Sequence, residues 1–121
     1  MPAPAITILY VQDLAAAAAR YASLLGTPPL EASPAFVLFA PEGGAMLGLW
    51  RRDTVAPAPP AGCGGELVFR LPDDAALEAL AAAWSGQGLQ IAQPIETAEF
   101  GRNLLALDAD GHRLRALVPP E

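Results

Sequence analysis

A chain of 121 residues with a net charge of −6 suits one domain, or two small halves sharing a core, and is long enough to bury a hydrophobic interior. Its acidic balance argues against a nucleic-acid or anionic-membrane partner, because both are held mainly by surplus positive charge. All seven basic residues are Arg, so no lysine amine exists to form a Schiff base with a carbonyl substrate.

The chain passes from Met1-Pro2-Ala3-Pro4 straight into Ile6-Thr7-Ile8-Leu9-Tyr10-Val11, a β-branched and aromatic stretch of strand length. No basic region followed by a hydrophobic stretch precedes it, and no apolar run reaches the length of a membrane span. A soluble cytoplasmic protein is therefore expected. Gln12-Asp13 then offers an N-cap, and the Ala-rich run from Leu14 to Leu25 predicts a helix closed by Gly26. Two strands follow, Ala35 to Ala40 and Ala45 to Trp50, around a Glu42-Gly43-Gly44 turn.

A Pro-rich linker from about 55 to 65 separates a first module, about 1–54, from a second, about 66–121. Cys63 lies in the linker; it excludes an intrachain disulfide and reads as a solvent-facing thiol rather than a nucleophile. The pattern then recurs. Glu66 to Leu71 is a strand, Pro72-Asp73 introduces a helix through Ala75 to Trp84, and Gly86 or Gly88 closes it. Sixty residues separate Val11 from Leu71, Asp13 from Asp73 and Gly26 from Gly86, a weak internal repeat that includes the punctuation. Strand material follows around Leu89 to Ala92 and again near Glu96 to Arg102. The end of the chain reads as a hairpin, Leu104 to Leu107 and Arg113 to Val118 joined through Asp108-Ala109-Asp110-Gly111-His112. Alternation puts Arg113, Arg115 and Leu117 on one face of the last strand and Leu114, Ala116 and Val118 on the other.

The order is βαβββ twice, an α+β chain. The first strand with Gln12-Asp13-Leu14, the helix to Leu24-Leu25-Gly26, the repeat and the closing Asp108-Ala109-Asp110-Gly111-His112-Arg113-Leu114 resemble the vicinal oxygen chelate superfamily of glyoxalases, extradiol dioxygenases and bleomycin-resistance proteins. The resemblance covers nearly the whole chain. It implies paired modules whose sheets curl into a cup, usually with dimerisation, and a ligand site inside the cup. It also implies a divalent metal held by His and Glu side chains from the first and last strand of each module. Those positions fall on Ile6 and Glu66, near Gly48, and on Arg115. Three of the four cannot ligate a metal, and a guanidinium repels one. Neither a metal nor any other cofactor is therefore expected. His112, the only histidine, sits at a turn, where a solvated structural role is expected.

Without a metal, Glu66 and Arg115 either pair or jointly bind a polar group of a ligand; as ordinary strand residues they would do neither. Met46, Gly48 and Trp50 share a face of the fourth strand, and the absent side chain at Gly48 leaves room beside two polarisable groups, which suits a flat apolar ligand. Phe36 and Leu38, or alternatively Val37 and Phe39, line the neighbouring strand, and Phe100 with Arg102 forms the rim. Trp84 reads as core or interface. Three function classes remain open: a metal-free protein that binds or sequesters an aromatic or mixed-polarity small molecule, possibly an antibiotic; a lyase, isomerase or dioxygenase of the glyoxalase type; and a homodimeric interaction protein whose cup is closed. For metal-free acid/base work Glu66 is the only decent candidate.

Overall fold

Two strands of similar make-up open the two halves of the chain, β1 (Ile6–Val11) and β5 (Glu66–Arg70). The structure, a computed structural model, describes residues 5–56, 58–59, 61–62 and 65–120; Cys63 lies outside them. It divides into two units, Met1–Ala61 and Gly62–Glu121, the division falling inside the Pro-rich segment.

In the first unit an Asp cap starts α1 (Leu14–Leu25): the Asp13 carboxylate accepts from the Ala16 amide at 3.0 Å, a contact worth about 1 kcal/mol. Gly26 ends the helix in the left-handed conformation, as its position predicts. The strands that follow are β2 (Glu31–Ala32), β3 (Phe36–Phe39) and β4 (Met46–Arg51), with one 3-10 turn over Arg52–Thr54. The sheet order is β1-β4-β3-β2, with β1 parallel to β4 and the other pairs antiparallel. Val37, Phe39, Leu47 and Leu49 are buried on the face shared with Leu14, Ala17 and Tyr21 of α1. Of the two alternatives for β3, Phe36 and Leu38 are thus the pair that turns to the face away from the helix. The two-residue β2 escapes prediction because Glu31–Ala32 is too short to show a period.

The second unit repeats the order: β5, then α2 (Asp74–Gly86), β6 (Gln90–Ala98), β7 (Gly101–Leu107) and β8 (Arg113–Val118), in sheet order β5-β8-β7-β6. Asp73 caps α2 through the Ala76 amide at 2.8 Å. Trp84 is core: it is 1% exposed and meets Phe69 edge-on at 5.3 Å. Leu104, Ala106, Leu114 and Ala116 complete that interior. The two short stretches expected around Leu89 to Ala92 and Glu96 to Arg102 are differently divided. The strand β6 is continuous from Gln90 to Ala98, and the turn to β7 falls at Glu99 and Phe100. Pro94, which breaks the sequence pattern, is tolerated because β6 is an edge strand whose register with β7 shifts on either side of Gln93. No helix among the described residues is long and apolar enough to cross a membrane.

Candidate functional site

The parallel pairing of β5 and β8 sets Glu66 opposite Arg113 and Val68 opposite Arg115. Paired residues share a face, so the two guanidiniums and the one carboxylate project together on the side away from α2. Arg115 grips Glu66 with two contacts, Nε to Oε1 at 2.5 Å and Nη2 to Oε2 at 3.2 Å, while Arg113 Nε donates to Oε2 at 3.1 Å. Hydrogen bonding from Arg115 is the main influence that lowers the pKa of Glu66; partial burial opposes it and Arg113 adds to it. Glu66 is thus an anion enclosed by two cations.

Behind Arg115 stands a residue that sequence reasoning missed. Asn103 on β7 is 1% exposed, and its Oδ1 accepts from Arg115 Nη1 at 2.7 Å and from Gln93 Nε2 at 3.1 Å. Its amide nitrogen donates to the carbonyls of Gly101 and Glu96. The available signal was a single amide within the apolar run from Leu104 to Leu107 and its flank, on the face that Arg115 shares. Phe100, half-exposed at the β6–β7 turn, lies with its ring centroid 5.8 Å from the Arg115 guanidinium carbon, within cation–π range. Glu66 and Arg115 thus pair, one of the alternatives open from the sequence, and Phe100, expected beside Arg102, is instead brought to them. Arg102 is not: it lies opposite Val118, on the helix face of β7, and pairs with Asp74 of α2 at 3.1 Å. Alternation turns it away from Arg115, and it is not part of a shared rim.

On the first sheet, register sets Ile6 opposite Met46, Ile8 opposite Gly48 and Tyr10 opposite Trp50, with Phe36 on the other side of Trp50. The face away from α1 is apolar, and Ile6, Ile8 and Met46 are exposed on it. Trp50 meets Tyr10 and Phe36 edge-on at 6.2 and 6.4 Å. The room expected over Gly48 is taken. A Cβ placed there would lie 2.6 Å from Phe36 Cζ and 3.3 Å from Ile8 Cγ1, so the glycine seats the Phe36 ring and not a ligand.

The positions that the resemblance gives to metal ligands do not fit a divalent cation. Ile6 and Gly48 bring no donor atom, Arg115 presents only N–H groups, and both oxygens of Glu66 are engaged by guanidiniums. Register does not rescue the set, since the residue opposite Ile6 is Met46, a soft thioether. His112 is not the solvated residue expected at the turn: its side chain is 14% exposed and its Nδ1 lies 2.8 Å from Asp108 Oδ2. Asp108, Asp110 and His112 place ligand-type atoms within 4.8 Å of one another. The same Asp108 carboxylate accepts from the Asp110 and His112 amides and so closes the hairpin turn.

A family model described as the Glyoxalase/Bleomycin resistance protein/Dioxygenase superfamily matches residues 4–116. Among solved structures, a protein of Agrobacterium tumefaciens determined by solution NMR is 42% identical, with both chains covered completely and a TM-score of 0.93. A glyoxalase-related enzyme from Fulvimarina pelagi superposes with a TM-score of 0.87 at 19% identity, over 99% of this chain and 90% of that one. A glyoxalase/bleomycin resistance protein/dioxygenase family enzyme from Burkholderia phytofirmans gives 0.84 at 16% identity, over 96% and 98%; at such identities the likeness concerns the fold. No curated protein matches the chain.

Proposed function

The chain belongs to the glyoxalase/bleomycin resistance protein/dioxygenase superfamily, and from that premise we propose that it is a metal-free binding protein. It takes an aromatic or mixed-polarity small molecule, with antibiotics among the candidates, against a helix-free sheet face. The observation behind this reading is the state of Glu66. A general base needs a pKa near the working pH and a lone pair facing the substrate. Glu66 has a lowered pKa, and both its oxygens receive guanidinium N–H groups. It is a weak base at neutral pH, and the positions that the resemblance gives to metal ligands do not fit a divalent cation. What remains suits binding: a guanidinium held in one orientation, an exposed aromatic ring beside it, and in the other unit an apolar face edged by Trp50. A homodimer belongs to the same proposal, supported by the exposed Ile6, Ile8 and Met46.

Fluorescence tests the reading. Aromatic ligands are expected to quench Trp50 in chelator-treated protein over the constant background of buried Trp84. Near-stoichiometric nickel, zinc, iron or manganese in protein purified without chelator, with turnover of a glutathione hemithioacetal only when metal is present, would overturn it.

A further inference from the structure

The donor inventory of Arg115 narrows the ligand class. A guanidinium offers five N–H groups, and Arg115 places three of them, on Glu66 Oε1, Glu66 Oε2 and Asn103 Oδ1. Two remain. Arg113 commits only its Nε–H to Glu66 and keeps the four donors of its terminal nitrogens. Glu66, by contrast, has both oxygens engaged. By strand position this face holds Arg70, Arg113 and Arg115 against Glu66 and Glu96, so in a chain of net charge −6 it has one positive charge in excess. Buried Asn103, itself held by the half-buried Gln93 amide, fixes Arg115 from behind, so that its free donors are oriented before any ligand arrives. The exposed Phe100 ring adjoins the guanidinium.

We infer that the Arg113–Arg115 pair in the second unit is a seat for an organic carboxylate with an attached planar ring, with Phe100 meeting the ring. The inference rests on the binding reading above and names the chemistry of its anchor. Glu66 acts as a built-in competitor that neutralises part of the positive charge, so the seat favours a monoanion. A planar carboxylate matches the guanidinium fork. A neutral amide of the same shape would replace one acceptor oxygen with a donor facing other donors, and is disfavoured.

Sodium benzoate and benzamide are the probes, titrated into the 15N-labelled full-length chain while the Arg Nε–H and backbone amide resonances are followed. Benzoate is expected to shift Arg115 Nε–H and the amides of Phe100 and Gly101, with benzamide at least about tenfold weaker. Arg115→Met should lower benzoate affinity by about tenfold or more, and Glu66→Gln should raise it severalfold. Should Arg115→Met fail to fold, Arg115→Lys, which keeps the charge and loses the fork, is expected to give an intermediate loss. Equal affinity for the two probes, benzoate binding unaffected by both Arg115 variants, or no shift at Arg115 overturns the carboxylate seat. Quenching of Trp50 by a neutral aromatic compound alongside any of those results leaves the binding reading standing. Its absence as well removes both.

Discussion

Arg115 and Asn103 are joined at 2.7 Å, Nη1 to Oδ1, and only one of them is visible from solvent. The buried amide sets the direction of the guanidinium, much as an outer hydrogen bond fixes a metal-binding imidazole. Asn103→Ala is therefore expected to destabilise the fold by about 2 kcal/mol in urea denaturation, since it leaves the part-buried Arg115 Nη1 donor without its acceptor and removes the Asn103 side-chain bonds to Gln93, Glu96 and Gly101. Arg115 Nε–H should also exchange faster with water. Unchanged exchange would show that Glu66 alone orients the guanidinium.

The lowered pKa of Glu66 ties stability to acid. A carboxyl whose folded pKa lies below its unfolded value contributes stability that is fully present above the unfolded value, about 4.3. That contribution disappears as the pH falls through the folded value. The difference in unfolding free energy between wild type and Glu66→Gln should thus be constant from neutral pH to about pH 5 and narrow at lower pH. A difference independent of pH down to acid unfolding would mean that the ion pair adds nothing to folding.

Gly101 and Gly111 make a matched pair of glycine tests. Gly101 has a φ of +126°, and a Cβ there would overlap the Val118 carbonyl oxygen; Gly111 has a φ of +83° with nothing within 4 Å. Gly111→Ala should cost about 1 kcal/mol from backbone conformation alone. Gly101→Ala should cost about 3 kcal/mol or prevent folding, because conformation and overlap both oppose it. Equal thermal shifts for the two would contradict the close approach of β7 to β8 at this point.

Gly48→Ala should displace the Phe36 ring and weaken its edge contact with Trp50. A loss of about 1–3 kcal/mol is expected, with a change in the Trp50 emission maximum. An unchanged spectrum would indicate that Ile8 yields instead.

Legibility in the sequence followed physical period. Both helices and their Asp caps could be read, because Asp13 and Asp73 stand before Ala-rich runs and capping is a local interaction. The faces of β8 could be read because alternation needs no knowledge of partners. The Glu66–Arg115 contact depends on parallel pairing of strands nearly fifty residues apart in the chain, and residue types suggested it without fixing it. What stayed hidden was relational. Phe36 occupying the space over Gly48, Arg102 turning toward Asp74, and Asn103 standing behind Arg115 each depend on which neighbour a strand acquires, which no single strand encodes.

Pro94 has a consequence beyond the irregular register it creates. The nine-residue β6 is the outer strand of its sheet, and a long straight strand in that place would template the addition of a further chain and seed aggregation. Pro94 lacks an amide hydrogen, and the breaks in register beside Gln93 disturb the straight row of groups that an incoming strand would have to match. That margin is protected against runaway sheet growth, so a second copy of the chain finds no continuous β ladder to extend there.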